Sequence, residues 1–143
     1  MTKKIWFDMD GTIADLYGVE NWLEHLINED TTPYEVAKGM HLAQIARQLN
    51  RLTALGWTVN IVSWASKKAT DEYIERIAEA KKEWLSRHLP SVRFTEIEIL
   101  PYGTPKSIVG TGILFDDEEQ NRTEWNGTAY DVQNIAQILR EIA

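Results

Sequence analysis

The apolar positions change period several times along the chain, and each change marks an element. Ile5, Trp6 and Phe7 run consecutively into Asp8-Met9-Asp10-Gly11. That is the pattern of a strand buried on both faces and ended by a turn, predicted over residues 4–9. Asp15-Leu16-Tyr17-Gly18 reads as a loop. Val19, Trp22, Leu23, Leu26 and Ile27 then recur at helical spacing. Asn28 to Pro33 breaks that helix and opens an irregular stretch reaching to Met40. Leu42, Ile45, Leu49 and Leu52 form one face of a second helix, stopped by Gly56. Trp57 to Ser63 is rich in β-formers and predicts the second strand. A long helix follows over residues 70–88, with Tyr73, Ile74, Ile77, Trp84 and Leu85 as its buried stripe and Lys81 and Lys82 on its solvated face. Residues 93–100 alternate as a third strand. Pro101 to Pro105 turns the chain into a short segment at 106–109. Gly112-Ile113-Leu114-Phe115 is the fourth strand and runs into Asp116-Asp117. A helical turn at 118–124, the turn signal Asn126-Gly127, a short fifth strand at 128–132 and a last helix carrying Val132, Ile135, Ile138, Leu139 and Ile142 complete the pattern.

Strands alternating with helices predict an α/β domain with a mostly parallel sheet. The length of 143 residues fits a single domain over residues 1–143. A chain of this size buries roughly 70% of its unfolded surface and needs no covalent staples. Cysteine is absent, which excludes disulfides and thiolate metal sites and fits a reducing compartment. The opening residues Met-Thr-Lys-Lys-Ile-Trp-Phe-Asp hold no apolar run long enough for a signal peptide or a membrane span, so a soluble, cytoplasmic protein is expected. Acidic residues outnumber basic ones by 22 to 15, a net charge of −7. Such a surface repels polyanions and argues against a nucleic-acid partner. It leaves room for a small phosphorylated substrate held by a few local groups.

The candidate chemistry starts at the first strand. Alternation puts Asp8 and Asp10 on one side and Met9 on the other. Two like charges at the end of a buried strand repel, and burial aggravates the conflict. A divalent cation with a preference for oxygen ligands, such as Mg²⁺, resolves it. Gly11 lets the backbone turn close to a ligand. Parallel sheets carry their functional groups at the carboxyl ends of the strands. Those ends, or the loops after them, offer Asp8 and Asp10, then Ser63, then Lys106, then Asp116 and Asp117. Each has a plainer reading alone: a strand-end serine, a solvated lysine after Pro105, an acidic helix start that complements the dipole. Lys81 and Lys82 of the long helix are rivals of Lys106 for the site lysine, with a solvated face as their plainer reading. Together they make a kit for phosphoryl transfer through an aspartyl phosphate. His25, His41 and His88 show no ligand spacing, and Gly110-Thr111-Gly112 lacks the context of a dinucleotide fingerprint.

Asp8-Met9-Asp10-Gly11-Thr12 resembles the DxDGT signature of the haloacid dehalogenase-like phosphohydrolases. Ser63, Lys106 and the pair Asp116-Asp117 resemble that superfamily's second, third and fourth motifs, in order and over nearly the whole chain. Small phage and bacterial members and the 5'-nucleotidases look similar in layout. The resemblance implies a three-layer Rossmann-like domain with a five-stranded sheet and a minimal helical cap inserted at residues 15–40. It implies Asp8 as nucleophile and Asp10 as general acid and base. Met9, Gly11, Thr12, Ser63, Trp64 and Lys106 would surround the phosphate, and Asp8, Asp10, Asp116 and Asp117 would hold Mg²⁺. Asp116 and Asp117 are alternatives for direct contact with the ion. Tyr17, Trp22, Tyr34, Trp64 and Trp125 are the aromatics near the expected mouth; core packing is their default reading, and stacking of Trp64, next to Ser63, on a nucleobase is the alternative. The expected activity is a Mg²⁺-dependent phosphatase for a small phosphomonoester, with a nucleotide among the candidates. A phosphoacceptor or metal-binding regulatory module and a polynucleotide-end phosphatase are the alternatives, and the oligomeric state is left open. Asp10-Gly11-Thr12 separates the first reading from the regulatory module, because such modules lack that acid–base partner.

Overall fold

A computed structural model describes residues 3–142 of the chain. Residues 1, 2 and 143, the ends of the expected single domain, lie outside the described residues. In chain order the elements are β1 (Lys4–Phe7), β2 (Ala14–Asp15), a 3₁₀ turn (Leu16–Gly18), α1 (Trp22–Ile27), α2 (Thr32–Val36), β3 (Lys38–Gly39), α3 (Leu42–Ala54), β4 (Thr58–Trp64), α4 (Asp71–His88), β5 (Phe94–Leu100), a second 3₁₀ turn (Lys106–Val109), β6 (Ile113–Phe115), α5 (Glu119–Glu124), β7 (Thr128–Tyr130) and α6 (Ile135–Glu141). Five strands form one sheet in the order β5-β4-β1-β6-β7, with every neighbouring pair parallel. The chain moves from β1 outward to β4 and β5, then returns to the other side of β1 for β6 and β7. The carboxyl end of β1 is therefore the switch point, where α/β sheets hold their ligands.

The consecutive apolar run of β1 is explained by this central place. Ile5 and Phe7 face one apolar layer with Val59, Ile61, Phe115, Ile45 and Leu49 of α3, Leu139 of α6 and Trp84 of α4. Trp6 faces the opposite layer with Val62, Leu114 and Trp125. Both faces of the sheet are covered, as a parallel sheet requires. Arg51 of α3 locks α6 in place by donating to the carbonyls of Leu139 and Ile142, both at 2.8 Å. No helix among the described residues is long and apolar enough to cross a membrane.

Several boundaries differ from the sequence expectation for local reasons. β1 stops at Phe7 instead of Met9 because the Met9 carbonyl already accepts the N–H groups of Thr12, Ile13 and Ala14 in a tight turn. α1 starts at Trp22, after Asn21 in the left-handed conformation. The stretch expected to be irregular contains α2. Pro33 reads as a breaker from sequence, yet it sits in the first turn of this helix, where a missing N–H costs nothing. The last helix begins at Ile135, after the left-handed Asn134.

Residues 15–38 leave and rejoin the body through the short antiparallel pair β2–β3, with Ala14 opposite Gly39 and Asp15 opposite Lys38. Side chains of α4 and its N-cap hold this segment. Trp84 Nε1 donates to the Ala37 carbonyl at 2.7 Å, Tyr73 Oη to the Asp30 carbonyl at 2.8 Å and Arg87 Nη2 to the Glu35 carbonyl at 3.0 Å. Thr70, the N-cap of α4, donates its N–H and its hydroxyl to the two oxygens of Glu29, each at 3.0 Å.

Candidate active site

The turn after β1 presents Asp8, only 6% exposed, at the base of a cavity of about 640 Å³. Asp8 Oδ1 accepts from Lys106 Nζ at 2.9 Å and from Ser63 Oγ at 3.4 Å, and Oδ2 accepts from Thr12 Oγ1 at 3.2 Å. Lys106 lies in the 3₁₀ turn after β5 and is 3% exposed. Its ammonium also donates to Asp116 Oδ2 at 2.6 Å and lies 5.3 Å from the centre of the Trp64 ring. Burial alone would lower the Lys106 pKa, but the charges of Asp8 and Asp116 outweigh it and the pKa is raised. The lysine is a permanent cation in this setting.

Asp116 and Asp117 follow β6 and behave differently. Asp116 is fully buried and its oxygens are occupied: Oδ1 accepts the Glu118 N–H at 2.9 Å, and Oδ2 accepts Asn121 Nδ2 at 3.2 Å as well as Lys106. Asp117 Oδ1 makes a long contact with Thr12 Oγ1, at 3.5 Å, and its carboxyl also meets that of Asp8. Burial, then the charge of Asp8, pushes the Asp117 carboxyl up to about 8. Gly11, with φ of +79°, lies against Asp117; a Cβ there would collide with the Asp117 carboxylate. Carboxylate oxygens of Asp8, Asp116 and Asp117 lie within 4.8 Å of one another. An all-oxygen acidic set of this kind suits a hard divalent ion.

Asp10 was expected in that ligand set, but its carboxylate is not part of the group. Its Oδ2 accepts from Lys81 Nζ at 2.9 Å instead. Burial raises the Asp10 pKa, with the Lys81 charge opposing. Lys81 itself corrects the expectation of a solvated face. It is 1% exposed and donates to Ser63 Oγ at 2.8 Å and to the Trp64 carbonyl at 2.9 Å, while Lys82 beside it is exposed. The signal was present in the sequence. Lys81 stands four residues after Ile77 and three before Trp84, on the apolar stripe of α4.

The structure brings Asp8, Asp10, Thr12, Ser63, Lys106, Asp116 and Asp117 into one cluster. Met9 contributes backbone, since its side chain is buried in the core. Trp64 forms part of the wall, its Nε1 donating to the Thr104 carbonyl at 2.8 Å and its ring 4.8 Å from that of Tyr102. Tyr17, Trp22 and Tyr34 also line the cavity. Trp125 does not. It packs edge-on against Trp6, with centroids 6.2 Å apart, and donates to the Gly112 carbonyl at 3.0 Å. An indole that completes the second apolar layer is unavailable at the mouth.

The family model described as "5' nucleotidase, deoxy (Pyrimidine), cytosolic type C protein" matches residues 35–138. The chain belongs to this family. It is thus a phosphoric monoester hydrolase of the haloacid dehalogenase-like superfamily, as the motifs suggested. The matched span of this 5'-nucleotidase family includes Ser63, Lys81, Lys106, Asp116 and Asp117 and begins after Asp8 and Asp10. A solved structure of D,D-heptose 1,7-bisphosphate phosphatase from Burkholderia thailandensis has the same fold, with a TM-score of 0.54 and 12% identity over 99% of this chain and 100% of that one. No curated protein matches the sequence.

Proposed function

We propose that the protein is a Mg²⁺-dependent phosphatase for small phosphomonoesters, with nucleotides as the favoured class, acting through a covalent phosphate on Asp8. One observation supports this most: a nearly buried carboxylate, Asp8, is held between the Lys106 ammonium and the Ser63 hydroxyl at the open base of a cavity, with a second acid on the same strand end. Asp8 forms the new bond to phosphorus as the bond from phosphorus to the leaving oxygen breaks. Asp10 gives its proton to that oxygen. In the second half, Asp10 takes a proton from water, the water oxygen bonds to phosphorus, and the bond to Asp8 breaks to release inorganic phosphate. Lys106, Ser63 and Thr12, with the backbone of the Met9–Gly11 turn, stabilise the charge on the transferring oxygens.

Asp8 and Asp117 are the natural direct ligands for Mg²⁺, because Asp116 spends its oxygens on Lys106, Asn121 and Glu118. A cation there acts as a Lewis acid on the phosphoryl group and neutralises the acid pair. The role of Asp116 is then to hold Lys106. Residues 15–40 form the small cap. Their aromatic edge, Tyr17 and Trp22, faces the cavity from one side and Trp64 and Tyr102 from another, so a flat leaving group such as a nucleobase has rings to lie against. The family and the cysteine-free chain favour a cytoplasmic enzyme.

The test is phosphate release from a panel of nucleoside monophosphates and p-nitrophenyl phosphate, with Mg²⁺ and with a chelator. Activity is expected only with the metal, and Asp8→Asn is expected to lose about 10⁴-fold or more in kcat. Undiminished turnover in Asp8→Asn removes Asp8 from its role. A phosphorylated protein that persists for hours with no release would favour a regulatory phosphoacceptor instead.

A further inference from the structure

We infer that Lys81 is a positioning residue for the reaction, fixing the Asp10 carboxyl and the Ser63 hydroxyl through its ammonium. The inference rests on the reading that Asp10 carries the leaving-group proton. An ammonium this deeply buried is expensive unless every proton finds an acceptor. Lys81 has three protons and three acceptors, at 2.8 to 2.9 Å. None comes from its own helix. Asp10 belongs to the turn after β1, and Ser63 and the Trp64 carbonyl belong to the end of β4. The ring of Tyr34, from α2, lies 5.1 Å from the ammonium and helps to cover it.

Two consequences follow for the chemistry. With Oδ2 engaged by Lys81, the transferable proton of Asp10 is carried on Oδ1. Lys81 also donates to Ser63 Oγ, so the hydroxyl's own hydrogen must point elsewhere, and the acceptor within reach is Asp8 Oδ1 at 3.4 Å. Lys81 thus fixes the acid and orients the serine without touching phosphorus. Lys106 does a different job, pairing Asp8 with Asp116. The only proton that moves at the leaving group is the one on Asp10.

The experiment compares wild type, Asp10→Asn, Lys81→Met and the double variant, with Mg²⁺ present, in first-turnover kinetics. The substrates are a nucleoside 5'-monophosphate, whose alkoxide leaving group needs a proton, and p-nitrophenyl phosphate, whose leaving group does not. Lys81→Met is expected to slow the first turnover of the nucleotide by about 10²-fold with little change in KM, and that of the aryl phosphate by less than about 5-fold. A structural role alone would slow both alike. Equal losses on the two substrates, or no loss on either, overturn the proposal. The double variant removes both members of the buried pair, a change often tolerated by the fold, and it decides the matter if Lys81→Met is too unstable to assay. A double variant that adds no loss selective for the nucleotide to that of Asp10→Asn supports action through Asp10, and a further nucleotide-selective loss of about tenfold or more overturns it; any loss through Ser63 falls on both substrates alike. If wild type hydrolyses neither substrate, the proposed substrate class fails; if Asp10→Asn matches an active wild type on the nucleotide, the acid role of Asp10, on which the inference rests, fails. A selective defect in Asp10→Asn that Lys81→Met does not share sinks only the inference about Lys81.

Discussion

The base of the cavity and the wall made by residues 15–40 are built on opposite plans. At the base, charged side chains are buried and bonded to one another: Asp8, Lys106 and Asp116 on one side, Asp10 and Lys81 on the other. They stand at the ends of central strands and on a long helix. The wall is tied down mainly through backbone carbonyls of Asp30, Glu35 and Ala37, and it leaves its apolar side chains open. α1 has no buried residue, and Leu23 and Ile27 are 54% and 71% exposed. The base fixes geometry because each charge depends on its neighbour. The wall offers a surface that can change without disturbing the chemistry. Substitutions at the base should therefore strike kcat and stability together, and substitutions on the wall should strike KM.

The largest effect after Asp8→Asn should come from Lys106→Ala. That change leaves Asp8 and Asp116 buried with no cation between them, so a loss of about 3–5 kcal/mol in unfolding free energy is expected, along with most activity. Thermal and urea unfolding measure it. A loss below about 1 kcal/mol, the scale of a surface pair, would mean that the base is not the interdependent unit described.

Addition of Mg²⁺ to the proposed cation site gives the next contrast. The Asp117 pKa is raised to about 8 by burial and by Asp8. Between the unfolded carboxylate range and that value, the native state holds a proton that the unfolded chain has released. Stability of the metal-free protein must then fall as pH rises through this window. Mg²⁺ should raise Tm by several degrees at pH 8 and by less at pH 5, where protons compete for the same oxygens. Equal stabilisation at both values would remove Asp117 from the cation's shell.

Much of the base was readable in the chain, and the reason is geometric. An uninterrupted apolar run predicts a central strand, and parallel strands deliver their next residues to one edge. Asp8, Ser63, Lys106 and Asp116 thus follow from strand order with little knowledge of packing. Lys81 does not follow from that rule, because it reaches the cluster from a helix flank. Only its place between Ile77 and Trp84 betrays it, against the strong expectation that lysine seeks water. α2 was hidden because Pro33 ends a helix in most positions and starts one in the first turn. Trp125 stands close to Asp117 in sequence, but Trp6 on the far side of β1 holds it in an apolar layer no local pattern reveals. The split of duties between Asp116 and Asp117 needed the partners of each oxygen.

On the wall, Trp22→Ala should raise KM for a nucleotide roughly fivefold, the low end of the cost of losing one stacking ring, and leave kcat within about twofold. KM and kcat for a nucleotide and for a small alkyl phosphate separate the two cases, since the alkyl phosphate has no flat group to lose. A collapse of kcat on both would show that the wall takes part in positioning, which would erase the contrast with the base.

The smallest effect should be Asp30→Ala. Asp30 Oδ1 accepts the N–H and hydroxyl of Thr32 at 2.9 and 2.7 Å and starts α2, while Oδ2 meets His25 Nδ1 at 2.8 Å. The Thr32 hydroxyl, the Thr32 N–H and His25, in that order, lower its pKa to about 2. Its contribution is therefore complete above the ordinary carboxylate pKa and is lost as pH falls toward 2, because the unfolded chain takes up the proton first. The group is nearly exposed, so solvent screening limits the loss to about 1 kcal/mol or less, the size of a helix cap. Hydrogen exchange should locate the loosening in residues 28–37 and leave β1 and β4 protected. If exchange at the central strands rises equally, the wall is part of the same cooperative unit as the base, and its freedom to vary is smaller than its open apolar face implies.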